Sequence, residues 1–219
     1  MREKQYEWLL FDLDGTITDS AEGIFNCFRY GLGAVGLEEP DSERLRAILG
    51  PPLLDAYRDM YGLTDEQAKM ALAKYRERYS VTGLFENRVY DGAEQMLSRC
   101  REAGYKIALA TAKPEAYAGR IIEHFGLTKY FDLVTGASLD TSRHTKSAVI
   151  SHIFETMGIT DKSRVLMIGD RKDDLLGARN CGVDGLGVLY GYGSYEELSA
   201  CPHVHLAKTP EGVADFLRA

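Results

Sequence analysis

The sequence predicts an α/β fold, a doubly wound parallel sheet into which an all-helical domain is inserted. Three observations predict it. Short apolar runs alternate with helical periodicity from Tyr90 onwards, and strands separated by helices imply a parallel sheet with right-handed crossovers. Between the first apolar run and that alternation lie about seventy residues with helical spacing and little strand pattern. The polar residues that stand out follow an apolar run or open a helix, which in such sheets is where ligands sit.

The first strand is predicted over Trp8 to Asp14. Helices are predicted over Ala21 to Leu32, Ser42 to Leu49, Leu53 to Tyr61 and Asp65 to Tyr79, with breaks at Gly36 to Pro40, Gly50-Pro51-Pro52 and Gly62-Leu63-Thr64. Thr64 can cap the helix after it. The rhythm then becomes a helix over Asp91 to Ala103, a strand over Lys106 to Thr111, a helix over Glu115 to Phe125 and a strand over Leu133 to Thr135. A helix over Lys146 to Met157, a strand over Val165 to Ile168, a helix over Asp174 to Cys181 and a strand over Gly185 to Leu189 follow. Thr209-Pro210-Glu211 starts a last helix, a capping residue before proline at the first helical position. The predicted domains are residues 1–17 with 89–219 as an α/β core, and residues 18–88 as a helical cap.

The run Leu10-Phe11-Asp12-Leu13-Asp14-Gly15-Thr16 carries the chemistry. Residues two apart in a strand point to one side, so Asp12 and Asp14 are expected to converge at the strand's carboxyl end. At about 4 Å and an effective dielectric of about 20, two such charges repel by about 4 kcal/mol. That calls for a bound cation, a shared proton or both, unless the pair merely initiates a turn. A second acidic strand end, Gly169-Asp170 through Asp173-Asp174, closes Val165 to Ile168. Between the two lie Thr111-Ala112-Lys113-Pro114 and Lys146. Taken singly, Thr111 also reads as a helix cap and Lys146 as a solvated helix residue, with Lys162 and Lys172 as nearby alternatives.

Those four segments in that order resemble the haloacid dehalogenase superfamily of aspartate-dependent phosphohydrolases, and most closely its phosphoglycolate phosphatase-like branch. The resemblance implies a Rossmann-like core. It implies Asp12 as nucleophile and Asp14 as acid and base, whose main-chain carbonyl also binds the metal. It further implies Thr111 with the Ala112 amide on a phosphate oxygen, and Lys146 as a second cation. Asp12, Asp14, Asp170 and Asp174 form the implied metal set for Mg2+, with Asp174 preferred to Asp173 on spacing. Gly50 and Lys113 are candidate readers of the substrate's leaving group, with the helical cap as a lid hinged at Gly50-Pro51-Pro52 and near Gly83. The implied activity is a Mg2+-dependent phosphatase of a small phosphorylated metabolite. Phosphoglycolate comes first and a nucleoside 5'-monophosphate is the alternative, because Ser138-Leu139-Asp140-Thr141-Ser142-Arg143 with Lys146 resembles 5'-nucleotidase-like members. A phosphosugar mutase shares all four motifs.

Composition bounds the partners. Hydrophobic residues make up 45% of the 219 and charged residues 27%, and the net charge is −7, which argues against binding a nucleic-acid polymer. No run approaches the roughly 20 apolar residues of a membrane span, and Met1 to Glu7 lacks a secretory apolar stretch. Cys27, Cys100, Cys181 and Cys201 have no CxxC spacing and read as reduced packing residues of a cytoplasmic protein. The five histidines make no metal-ligand pattern, and the His203/His205 alternation reads as a strand or loop. Oligomeric state is not legible in the sequence.

Overall fold

The computed structural model describes residues 6–50, 53–138 and 142–218. Two units make up the chain, one running to Asp19 and resuming at Val89, the other spanning Ser20–Arg88.

The first strand, β1 (Trp8–Phe11), stops short of its predicted end at Asp14. The Asp12 amide still donates to the Ile168 carbonyl at 2.9 Å. The chain then turns, because the Leu13 carbonyl accepts the amides of Thr16, Ile17 and Thr18 at 3.2, 2.9 and 3.0 Å. Asp12 and Asp14 therefore do not share one face of an extended strand.

The unit Ser20–Arg88 is helical: α1 (Ala21–Gly33), α2 (Ser42–Leu45), α3 (Leu53–Tyr61) and α4 (Asp65–Arg78). α2 is shorter than its predicted span and tightens into a 3-10 turn over Arg46–Ile48, a common way for a short helix to end. Thr64 caps α4 as expected, in a reciprocal capping box with Gln67. Phe28 and Tyr57 stack with centroids 4.0 Å apart, and the Tyr57 hydroxyl donates to the Phe28 carbonyl at 3.1 Å. Of the two expected hinges, Pro51 and Pro52 lie outside the described residues. Gly83 is not in a loop but is the buried end of a π-helical turn, Tyr79–Gly83, that continues α4. Arg78, the last residue of α4, spans this turn by pairing with both oxygens of Glu86 at 2.6 and 2.7 Å.

In the other unit, α5 (Ala93–Glu102) begins two residues later than predicted because Gly92 takes a left-handed φ of 85°. There follow β2 (Lys106–Pro114), α6 (Glu115–His124), β3 (Leu133–Ala137), α7 (Lys146–Met157) and β4 (Val165–Gly169). Then come α8 (Lys172–Cys181), β5 (Asp184–Val188), α9 (Tyr195–Ser199), β6 (His205–Ala207) and α10 (Pro210–Leu217). α9 is not predicted from periodicity. It is a five-residue helix that forms because Ser194 accepts the Glu197 amide. Of the His203/His205 pair, His205 opens the edge strand β6 and His203 lies in the loop before it. Thr209 caps α10 with Pro210 at its start, as expected.

The sheet runs β3-β2-β1-β4-β5-β6 and every adjacent pair is parallel. This is the Rossmann-like doubly wound order, with its switch point beside β1 and β4. Trp8 and Leu10 of β1, Ala108 and Ala110 of β2, and Val165 and Met167 of β4 pack under α7 and α8. The alternate residues Leu9, Phe11, Ile107, Leu109, Leu166 and Ile168 are fully buried as well, as expected for a parallel sheet covered on both faces. Cys27, Cys100 and Cys181 are buried and Cys201 is half-buried, and none of the four forms a disulfide. Burial pushes the Cys100 thiol up to about 12. No helix among the described residues is long and apolar enough to cross a membrane.

Candidate active site

Register places the acidic residues side by side. Phe11 pairs with Leu109 of β2 and Ile168 of β4, so β1 and β4 end at nearly one level of the sheet's carboxyl edge, with β2 running on between β1 and β3. Asp12, Asp170 and Asp174 gather there, with one oxygen from each within 4.8 Å of the others. All three are buried.

Lys146 opens α7, whose first turn is capped by Thr145 accepting the Ala148 amide. Its Nζ lies 2.9 Å from Asp12 Oδ1 and 2.7 Å from Asp174 Oδ1, and donates to the Ala110 carbonyl at 2.7 Å. Burial alone would lower the Lys146 ammonium, but the carboxylates of Asp12 and Asp174 outweigh it and raise it above its ordinary value. Lys146 is thus no solvated helix residue. Lys162 and Lys172 are exposed.

Asp170 is held by the Tyr192 amide, which donates to Oδ2 at 2.7 Å. Its Oδ1 is buried with no hydrogen-bond partner. Burial, then repulsion from Asp174 and Asp12, pushes its carboxyl well above the usual range. Asp174 sits in the first turn of α8, where Oδ2 accepts the Arg171 amide at 3.0 Å. Burial pushes it up to about 6, with Lys146 opposing. α8 begins at Lys172, two residues before the predicted start at Asp174, and the Arg171 to Glu197 pair at 2.9 Å anchors that end. Asp173 points to solvent, so Asp174 is the one in the group.

Three carboxylates face one lysine, an excess of two negative charges when all three are ionised in this buried site, and the Asp170 oxygen has no donor. That donor set fits a small, hard divalent cation such as Mg2+.

The structure assigns the other expected residues different positions. Asp14 stands outside the three-carboxylate group, with its Oδ2 3.0 Å from Lys113 Nζ. Thr111 is buried, but it caps no helix: β2 runs on to Pro114, and the Thr111 hydroxyl accepts the Lys113 amide at 3.2 Å. The predicted strand end at Thr111 fails because the register shifts between Ala110 and Pro114 and extended backbone continues. Ala112 is exposed beside it. Gly50 belongs to the helical unit, is exposed, and has a φ of 111°. Of Ser138 to Arg143, Leu139, Asp140 and Thr141 lie outside the described residues.

Two features escaped the sequence reading. Gly191 lets the loop after β5 press on Asp170, since a Cβ there would meet the Asp170 carboxylate at 2.6 Å. The glycine, tyrosine, glycine alternation of Gly191-Tyr192-Gly193 was the available signal. Gly15, with a φ of 80°, likewise leaves its side-chain space to Asp170, whose Oδ1 would lie 2.8 Å from a Cβ. Gly15→Ala is therefore expected to lose at least about 1–2 kcal/mol from the left-handed backbone alone and to displace Asp170. Thermal melts with and without Mg2+ check this. A variant as stable as wild type and equally stabilised by Mg2+ would refute it.

A family model for haloacid dehalogenase-like hydrolases matches residues 9–188. The chain belongs to this family. Among haloacid dehalogenase-like hydrolases and their kin, it is 42% identical over 201 residues to a 5'-nucleotidase of Pseudomonas aeruginosa, covering 92% of this chain and 90% of that one. It is 40% identical over 185 residues to the tyrosine-protein kinase PtkA of Mycobacterium tuberculosis, spanning 84% of this chain but 62% of the kinase. A phosphoglycolate phosphatase of Vibrio parahaemolyticus is 26% identical over 225 residues, 99% of this chain and 95% of that one. In three dimensions it resembles a haloacid dehalogenase-like family hydrolase of Streptococcus pneumoniae, with a TM-score of 0.89, 28% identity, and 97% and 98% of the two chains covered.

Proposed function

We propose that this haloacid dehalogenase-like hydrolase removes phosphate from a small metabolite through an aspartyl-phosphate on Asp12, with Mg2+ bound by Asp12, Asp170 and Asp174. The chain is a phosphoric monoester hydrolase. The observation that carries the mechanism is the buried group of three carboxylates and Lys146 at the switch point of the sheet.

Mg2+, when bound, would offset the charge of the phosphate dianion and of the carboxylates around it. Lys146 supplies the remaining positive charge and fixes the Asp12 carboxylate through a 2.9 Å ion pair. An Asp12 oxygen attacks phosphorus, and the phosphorus to ester-oxygen bond breaks. Asp14 gives the departing oxygen a proton, so the alcohol leaves neutral. Asp14, now ionised, takes a proton from water as that water attacks phosphorus. The bond to Asp12 breaks and inorganic phosphate is released. In this reading Thr111 and the Ala112 amide hold a phosphate oxygen meanwhile. Asp14 supports its role by standing apart from the Asp12, Asp170 and Asp174 group.

Nucleoside 5'-monophosphates are the favoured substrates over phosphoglycolate. The 5'-nucleotidase relative is 42% identical, against 26% for the phosphoglycolate phosphatase. A panel of phosphate release across nucleoside 5'-monophosphates, phosphoglycolate and phosphosugars tests this, with Mg2+ present. The expected result is a kcat/KM at least about tenfold higher for a nucleotide, a difference of about 1.4 kcal/mol. A higher value for phosphoglycolate would reverse the order. The same phosphoryl group on Asp12 could pass to a sugar hydroxyl, as in a mutase, or to tyrosine. One phosphate released per ester consumed favours water as the acceptor.

A further inference from the structure

None of the three gathered carboxylates has both oxygens to spare. Asp12 Oδ1 is paired with Lys146 at 2.9 Å. Asp174 has Lys146 at 2.7 Å from Oδ1 and the Arg171 amide at 3.0 Å from Oδ2. Asp170 is engaged on one side only: Oδ2 accepts the Tyr192 amide at 2.7 Å, while Oδ1 is buried with no hydrogen-bond partner. Asp170 therefore presents a single oxygen, and the loop after β5 decides which one.

That loop is fastened through two phenol groups. The Tyr190 hydroxyl donates to the Thr16 carbonyl at 3.0 Å, and the Tyr192 hydroxyl donates to Asp19 Oδ1 at 3.1 Å. Both partners lie on the segment that follows Asp14. The Tyr190 ring also meets the Tyr90 ring edge-on, with centroids 5.3 Å apart. The fastened backbone is pressed close. A Cβ on Gly191 would strike the Gly15 carbonyl and the Asp170 side chain, and one on Gly193 would strike the Asp170 carbonyl.

A carboxylate that gives one oxygen suits a small ion with six short bonds. Ca2+ takes more ligands at longer distances and readily binds both oxygens of one carboxylate. Released from the Tyr192 amide, Asp170 would be able to turn and offer both. We propose that Tyr190 and Tyr192 are positioning residues, whose hydroxyls clamp the loop after β5 and keep Asp170 a one-oxygen ligand, so that the site discriminates Mg2+ from Ca2+. This rests on Asp12, Asp170 and Asp174 holding the cation, as proposed above. Neither hydroxyl is itself a ligand in this role.

The test needs no substrate and no turnover. Metal-free full-length protein is titrated with Mg2+ and, separately, with Ca2+ at constant ionic strength. Dissociation constants come from the rise in melting temperature over each variant's own metal-free value. The readout is the ratio of the Ca2+ constant to the Mg2+ constant, which a loss of fold stability alone does not move. Wild type is compared with Tyr190→Phe, Tyr192→Phe, the double variant and Asp170→Asn. Each lost hydroxyl is expected to lower the ratio about threefold, and the loss of both about tenfold. A wild-type ratio in the double variant, beside weakened Mg2+ binding in Asp170→Asn, would overturn the proposal and leave the metal set standing. Asp170→Asn binding Mg2+ as tightly as wild type would overturn the metal set, and the proposal with it.

Discussion

Asp12→Asn is expected to cut phosphate release by about a thousandfold or more while the protein stays folded. The amide keeps the volume of the carboxylate but is a poor nucleophile. It also removes one charge from a site where three carboxylates share a single lysine. Lys146 keeps Asp174 at 2.7 Å and the Ala110 carbonyl at 2.7 Å, so it is not left buried without partners. The melting temperature should therefore hold or rise even as activity is lost. Phosphate release, a thermal melt and intact-mass detection of a phosphorylated chain check the three parts. Near-normal release from the folded variant would remove Asp12 from the nucleophile's role.

Chelation with EDTA should abolish turnover, and added Mg2+ should restore it. The buried excess of two negative charges, with Asp170 Oδ1 lacking a donor, leaves no room for a phosphate dianion without a cation. Ca2+ should restore little, because it prefers a larger and looser oxygen shell that would shift Asp12 away from phosphorus. Without any substrate, Mg2+ at about 100 times its dissociation constant should stabilise the fold by about 2.7 kcal/mol. Asp170→Asn should weaken that stabilisation, because it removes the charge from the carboxylate with the free oxygen. Full activity without a divalent ion, or a melting temperature indifferent to Mg2+, would overturn the metal assignment.

Much of this site is legible in the sequence because local chemistry announces it. Asp12 and Asp170 each follow a buried apolar strand, and such strands are recognisable from a few residues. Caps declared themselves in the same way: Thr64, with Gln67 three residues on, and Thr209, followed by proline, start helices where expected. Element ends were less legible. Whether β1 stops at Phe11 or Asp14 depends on the Leu13 carbonyl collecting three amides, and whether β2 passes Thr111 depends on its register with β3. Hydrophobic spacing carries neither.

By itself, then, the sequence determined the α/β alternation, the helical insertion, the caps, and the residue types able to hold a phosphate and a hard cation. All of these are set by neighbours within a few positions. Only the tertiary structure decided how the charges are shared. That Asp14 faces Lys113 while Asp12 faces Lys146, that Asp170 takes the Tyr192 amide, and that Asp174 rather than Asp173 joins the group depend on which strand ends lie side by side. Charge pairing falls steeply with distance and strengthens with burial. Those partners are brought together from distant parts of the chain only by the pairing of β1 with β2 and β4.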